Sequence, residues 1–125
     1  MYRIRILTVM LLGALVVAVA GSTAASQKLK GTLVGTVGPG YTITLKQNGT
    51  SVKNNTLKAG TYKITVKDKG TIHNFHLFGP GVNKKTSVSG TGTFVWTVTF
   101  KKGGNYTYRC DIHYMLGMIG HFKVN

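Results

Sequence analysis

The sequence predicts an all-β domain, a two-sheet sandwich or small barrel of about seven or eight strands. Three observations carry this expectation. Short runs of alternating apolar and polar residues recur along the chain. Gly, Asn and Pro interrupt them at spacings of about 8–12 residues. Beyond the N-terminal segment, no stretch has the apolar spacing of a helix longer than a turn or two.

The elements follow in order. Residues 1–25 read as an export signal rather than as part of the fold. Met1-Tyr2-Arg3-Ile4-Arg5 is a short basic start, residues 6–20 are uncharged and mostly apolar, and Gly21-Ser22-Thr23-Ala24-Ala25 supplies the small residues after which an export peptidase cuts. The rival reading is an uncleaved N-terminal anchor, since residues 21–25 extend the apolar run toward the roughly 20 residues of a bilayer span. On either reading, residues 26–125 form one domain that works in the periplasm or outside the cell. Leu33-Val34-Gly35-Thr36-Val37 and Tyr41-Thr42-Ile43-Thr44-Leu45 flank Gly38-Pro39-Gly40, a hairpin pattern. Residues 61–67 alternate, with Tyr62, Ile64 and Val66 on one face and Lys63, Thr65 and Lys67 on the other, as in a strand with one wet face. Residues 73–78 predict a further strand ended by Gly79-Pro80-Gly81. Residues 93–100 place Phe94, Trp96, Val98 and Phe100 on one face, and residues 105–110 and 119–124 complete the set.

Charge narrows the function. The 125 residues hold 16 Lys and Arg against 2 Asp and Glu, a formal net charge of +14. Removing the leader takes away Arg3 and Arg5 and leaves +12. Asp68 and Asp111 alone leave little scope for paired-carboxylate catalysis or a calcium cage. One Cys excludes an internal disulfide and a Cys₄ zinc site. The lysines are dispersed and alternate with Thr on wet strand faces, and only Arg109 remains after cleavage. Nucleic-acid binding favours clustered Arg with exposed aromatics, so nucleic acid is not an expected partner. Long-range attraction to an acidic protein or an anionic envelope surface is expected instead. A chain with so few carboxylates also has little to protonate on acid unfolding, which predicts tolerance of acidic surroundings.

Groups able to bind a soft metal converge near the C-terminus. Cys110-Asp111-Ile112-His113 gives C-x₂-H, and Met115 and Met118, the only methionines beyond the leader, follow in the same loop. Side chains alternate between faces along a strand. Tyr106, Tyr108 and Cys110 therefore point inward, as do His73, Phe75 and Leu77. His76 then points outward with Asn74 and Phe78, and His121 points outward opposite Phe122 and Val124. Cys110 alone would be a buried structural thiol, and His73 alone a satisfied core histidine. Together with His113 and one loop Met they form a His₂Cys site with a weak thioether, a ligand set that suits copper. The thiolate stabilises Cu(I) and couples to Cu(II), while the imidazoles accept both states.

The segment Tyr106-Thr-Tyr-Arg-Cys110-Asp-Ile-His113-Tyr-Met-Leu-Gly-Met118-Ile-Gly120-His-Phe-Lys-Val124 resembles the C-terminal copper loop of plastocyanins and related cupredoxins. His73-Asn74-Phe75-His76-Leu77 resembles their first-ligand strand, and the likeness covers roughly residues 60–125. The resemblance implies a Greek-key β-sandwich holding one type 1 copper ion on His73, Cys110, His113 and Met118. Met115 is the alternative axial residue; Met118 is preferred because x-Gly follows it. Asn74 resembles the residue that ties the first-ligand strand to the Cys loop, as groups behind a ligand generally orient it. Phe78, Pro80, Tyr114, Met115 and Leu116 are candidates for an apolar rim around His113 where partners dock, with loop packing as the equal alternative.

The implied function is an exported carrier of single electrons between a redox protein donor and acceptor, not an enzyme. The chain is expected to be a monomer, with the membrane entering only as anchor or anionic surface. The acidic patches of many plastocyanins are missing, so no particular photosynthetic partner is implied. Two other readings use the same residues: a copper-binding protein for sequestration or delivery, and a metal-free β-sandwich interaction module.

Overall fold

The computed structural model describes residues 16–22 and 26–125. The leader expected over residues 1–25 therefore lies largely outside the described residues. Among those described, no helix is long and apolar enough to cross a membrane.

Among the described residues, ten strands form two five-stranded sheets. In chain order they are β1 (Leu29–Val37), β2 (Ile43–Gln47), β3 (Thr50–Ser51), β4 (Thr56–Leu57), β5 (Gly60–Asp68), β6 (His76–Gly79), β7 (Val82–Lys85), β8 (Gly92–Phe100), β9 (Asn105–Arg109) and β10 (Ile119–Val124). The first sheet runs β3-β2-β1-β5-β8 and the second β4-β10-β9-β6-β7. β1 lies parallel to β5, with Leu33 opposite Ile64, and β10 lies parallel to β4; the other pairings are antiparallel. The sole helical piece among the described residues is a single 3₁₀ turn, Tyr114–Leu116.

The alternation of β5 does what the sequence predicts. Tyr62, Ile64 and Val66 are buried between the sheets, while Lys63 and Lys67 are exposed. Leu33, Val37 and Leu45 of the same sheet and Leu77, Tyr108 and Val124 of the facing one complete the apolar layer. At one end Phe100 packs edge-on against Tyr106 and Phe122, with ring centroids 4.7 and 5.2 Å away. At the other end Phe75 stacks on Tyr108 at 6.0 Å, directly behind the Cys110 loop.

The structure corrects two expectations. Residues 73–78 are not one strand: pairing begins at His76. The backbone of Phe75 is bonded to Thr86 instead, its N–H donating to Thr86 Oγ1 (2.9 Å) and its carbonyl accepting from the Thr86 N–H (3.0 Å). Alternation fails there, and His73, Asn74 and Phe75 are all buried. Phe94, expected inside with Trp96, Val98 and Phe100, is 38% exposed. β8 is an edge strand of nine residues, whereas β7, the strand of the other sheet that approaches it, has only four.

Candidate metal centre

His73 sits on the loop that follows β5. Several contacts fix this loop. The Lys69 N–H donates to Val37 O (2.9 Å), and the Gly70 N–H donates to Asp68 Oδ1 (3.3 Å). Asp68, 2% exposed, accepts a second hydrogen bond through Oδ2 from the Thr86 hydroxyl, and Thr86 in turn holds Phe75. The His73 ring lies in a slot lined by two glycines. A Cβ on Gly70 would stand 2.6 Å from His73 Cδ2, and one on Gly38 3.1 Å from it. No larger residue at position 70 leaves that ring where it is.

Cys110 follows immediately on β9, and the inward parity of Tyr106 and Tyr108 carries through to it: the thiol is fully buried. The Cys110 N–H donates to Met118 O (3.0 Å), and the Met118 N–H donates to His113 O (3.4 Å). The loop is thus closed on itself around the 3₁₀ turn. Gly117 ends that turn in the left-handed region at φ 93°, which favours glycine. His113, just before the turn, is half-buried.

The two segments meet at three donor atoms. His73 Nδ1 and His113 Nδ1 are 3.0 Å apart, and Cys110 Sγ lies 3.8 Å from the first and 3.7 Å from the second. A point equidistant from the three lies about 2 Å from each, the length of a metal–nitrogen bond and a few tenths of an ångström short of a metal–sulfur bond of about 2.3 Å. Two imidazoles and a thiolate, with Met118 buried beside them, fit one type 1 copper ion. His73 presents Nδ1 to the cluster, and its Nε2 is buried without a hydrogen-bond partner among the described residues.

Around this cluster the polar side chains interlock. Asn74 Oδ1 accepts from the Asp111 N–H (2.8 Å), and Asn74 Nδ2 donates to Asp111 Oδ2 (3.0 Å). One side chain therefore ties the residue after His73 to the residue after Cys110. His76 Nδ1 lies 2.9 Å from Asp111 Oδ1, and Arg109 Nε donates to the same oxygen at 2.9 Å. The Arg109 guanidinium lies 4.4 Å from the ring centroid of Tyr114 and 5.1 Å from that of Phe78. Partial burial pushes the Asp111 carboxyl up, but hydrogen bonds from Asn74, His76 and Arg109 and the attraction of His76 outweigh it, holding the pKa down to about 2.

The remaining predicted residues divide. Met118 is fully buried and Met115 is 84% exposed. Tyr114 and Leu116 are exposed beside His113. Pro80 is not next to them: it lies beyond the end of β6 remote from His76, where its carbonyl accepts from the Tyr106 hydroxyl (2.9 Å). Phe78 reaches Tyr114 only through Arg109. His121 is exposed and within 2.8 Å of Thr107 Oγ1, away from the cluster. An open groove of about 530 Å³ lined by Asn54, Asn105, His121 and Lys123 is likewise no part of it.

Three residues with clear roles escape the sequence reading. Asp68 and Thr86 brace the His73 loop, and Tyr41, in the β1–β2 connection, lies edge-on to both His73 and His113. These contacts join residues 18 to 72 positions apart, and no local spacing signals them.

No curated protein matches the chain. Among solved structures it is similar to reduced rusticyanin (24% identity, TM-score 0.51, covering 75% of this chain and 78% of that one). Rusticyanin from Thiobacillus ferrooxidans gives 24% identity and a TM-score of 0.50 over 75% of this chain and 76% of that one. A multi-copper oxidase from Pediococcus acidilactici gives 20% identity and a TM-score of 0.50 over 94% of this chain but only 30% of its own. At these identities the likenesses establish the fold alone. Residues 35–125, which carry all three donor atoms, match the family model for copper-binding proteins of the plastocyanin/azurin family, and the chain belongs to that family.

Proposed function

We propose that this chain is an exported single-electron carrier that holds copper on His73, Cys110 and His113 with Met118 as the weak fourth ligand. The observation that carries the reading is the meeting of His73 Nδ1, His113 Nδ1 and Cys110 Sγ within 3.8 Å of one another. Met118 is favoured over Met115 because it is buried and its backbone is bonded to both Cys110 and His113. When bound, copper supplies a reversible one-electron change between Cu(II) and Cu(I). The chain's own part is to hold the donors still. Asn74 clamps the two ligand segments together, the glycine slot fixes the His73 ring, and Asp68 with Thr86 braces its loop. Donors that move little between oxidation states keep the cost of electron transfer low.

The exit for the electron is the half-buried His113 ring, framed by exposed Ile112, Tyr114, Met115 and Leu116. This apolar face is the docking surface for donor and acceptor, and the net charge, +14 with the leader and +12 without it, favours acidic partners. An oxidase of the multicopper kind needs His-x-His pairs for further coppers, and the sequence has none. Export rests on the composition of residues 1–25.

Visible absorption and EPR spectra of the Cu(II)-loaded chain test the reading. An intense thiolate-to-copper band, abolished by Cys110→Ser, is expected. A colourless wild-type chain defeats it and leaves the metal-free interaction module. A blue protein that releases copper rapidly and exchanges electrons slowly with itself points to sequestration or delivery instead.

A further inference from the structure

Tyr41 makes edge contacts with two candidate ligands at once. Its ring centroid lies 5.2 Å from that of His73, with planes at 81°, and 4.9 Å from that of His113, with planes at 72°. The two imidazoles are themselves 4.9 Å apart, so the three rings close a triangle. Yet Tyr41 is 57% exposed. It packs on the cluster from outside, with solvent at its back.

On the inner sides the cluster is sealed: His73, Phe75, Cys110 and Met118 are fully buried and Asn74 nearly so. His113 is the one donor residue that reaches solvent. Tyr41 covers the flank where His113 meets His73. Its seat is fixed, because the turn closes on itself through Gly38 N–H to Thr42 O (3.0 Å) and Thr42 N–H to Gly40 O (2.9 Å). Gly38, at the start of that turn, is also one of the two glycines that line the slot of the His73 ring.

We infer that Tyr41 is the lid of the metal centre, controlling how fast water and competing ligands reach an ion held there. The inference rests on the copper reading above. The ring does the covering: edge-to-face packing needs a polarised aromatic edge and face, not the phenolic hydroxyl. Tyr41→Phe therefore keeps the lid, while Tyr41→Ala and Tyr41→Leu open it.

The test uses the full copper-loaded chain and follows loss of the thiolate-to-copper absorption in excess EDTA. Deuterium modulation of the Cu(II) EPR signal in D₂O provides a second readout. Loss of two aromatic contacts predicts roughly tenfold faster extraction from Tyr41→Ala and Tyr41→Leu. Both should gain deuterium modulation with the absorption maximum unchanged, and Tyr41→Phe should behave as wild type. Leucine keeps apolar bulk in the turn, so a folding defect peculiar to alanine does not spoil the comparison. Extraction at the wild-type rate from both open variants overturns the lid, as does a Tyr41→Phe chain that loses copper as fast as they do. A wild-type chain that takes up no Cu(II) removes the copper reading and the lid with it; a wild-type chain that holds copper beside unaffected variants removes the lid alone.

Discussion

At the residue scale, Asp111 is the hinge of the polar shell behind the donors. It sits between Cys110 and His113, and its carboxylate takes hydrogen bonds from Asn74, His76 and Arg109. With its pKa held at about 2, below the ordinary 3.8, the carboxylate prefers the folded state. Its contribution is complete above the ordinary value and disappears as pH falls through the folded one. Thermal unfolding of the metal-free chain should therefore show stability declining between about pH 4 and pH 2, and Asp111→Asn should flatten that decline. An unchanged pH profile in the variant would contradict this account. At this scale the sequence is most legible where donors are close along the chain. C-x₂-H brings out Cys110 and His113 by spacing, whereas spacing leaves Met115 and Met118 both open and burial is what sets them apart. Tyr41 is illegible for the opposite reason: an exposed tyrosine in a Gly-Pro-Gly turn carries no local sign of the rings it covers.

At the scale of elements, the short link from β5 to β6 decides where His73 points. Thr86, next to β7, donates its hydroxyl proton to Asp68 and accepts the Phe75 N–H. Thr86→Val keeps the shape but leaves a buried carboxylate and a buried N–H each short of a partner. It should cost about 2–3 kcal/mol in urea denaturation, with Thr86→Ser close to wild type. A loss below about 0.5 kcal/mol for the valine variant would remove Thr86 from the brace. The same link explains where alternation misleads. The pattern of residues 73–78 has a strand's period, but the Phe75 backbone bonds to Thr86 and the Asn74 side chain to Asp111, and ladder pairing starts only at His76. β5, β8 and β10 are long enough for period two to be read. β3 and β4 have two residues each and no period to detect, and β7, Val-Asn-Lys-Lys, has no apolar alternation.

At the scale of the whole molecule, electrostatics are one-signed. Electron transfer with an acidic redox partner should slow as ionic strength rises, because the Debye length shrinks from about 30 Å at 0.01 M to about 8 Å at 0.15 M. Stopped-flow rates that do not depend on salt would argue that apolar contact around His113 governs docking. The placement of the two aspartates has a further consequence. Asp68 is enclosed between the sheets and Asp111 is engaged by three neighbours, so no side-chain carboxylate stands free at the periphery. Histidines and the chain terminus aside, nothing on the exterior titrates between neutrality and pH 4. The particle stays a polycation throughout, and its retention on a cation exchanger should not weaken over a span in which most proteins shed their negative groups.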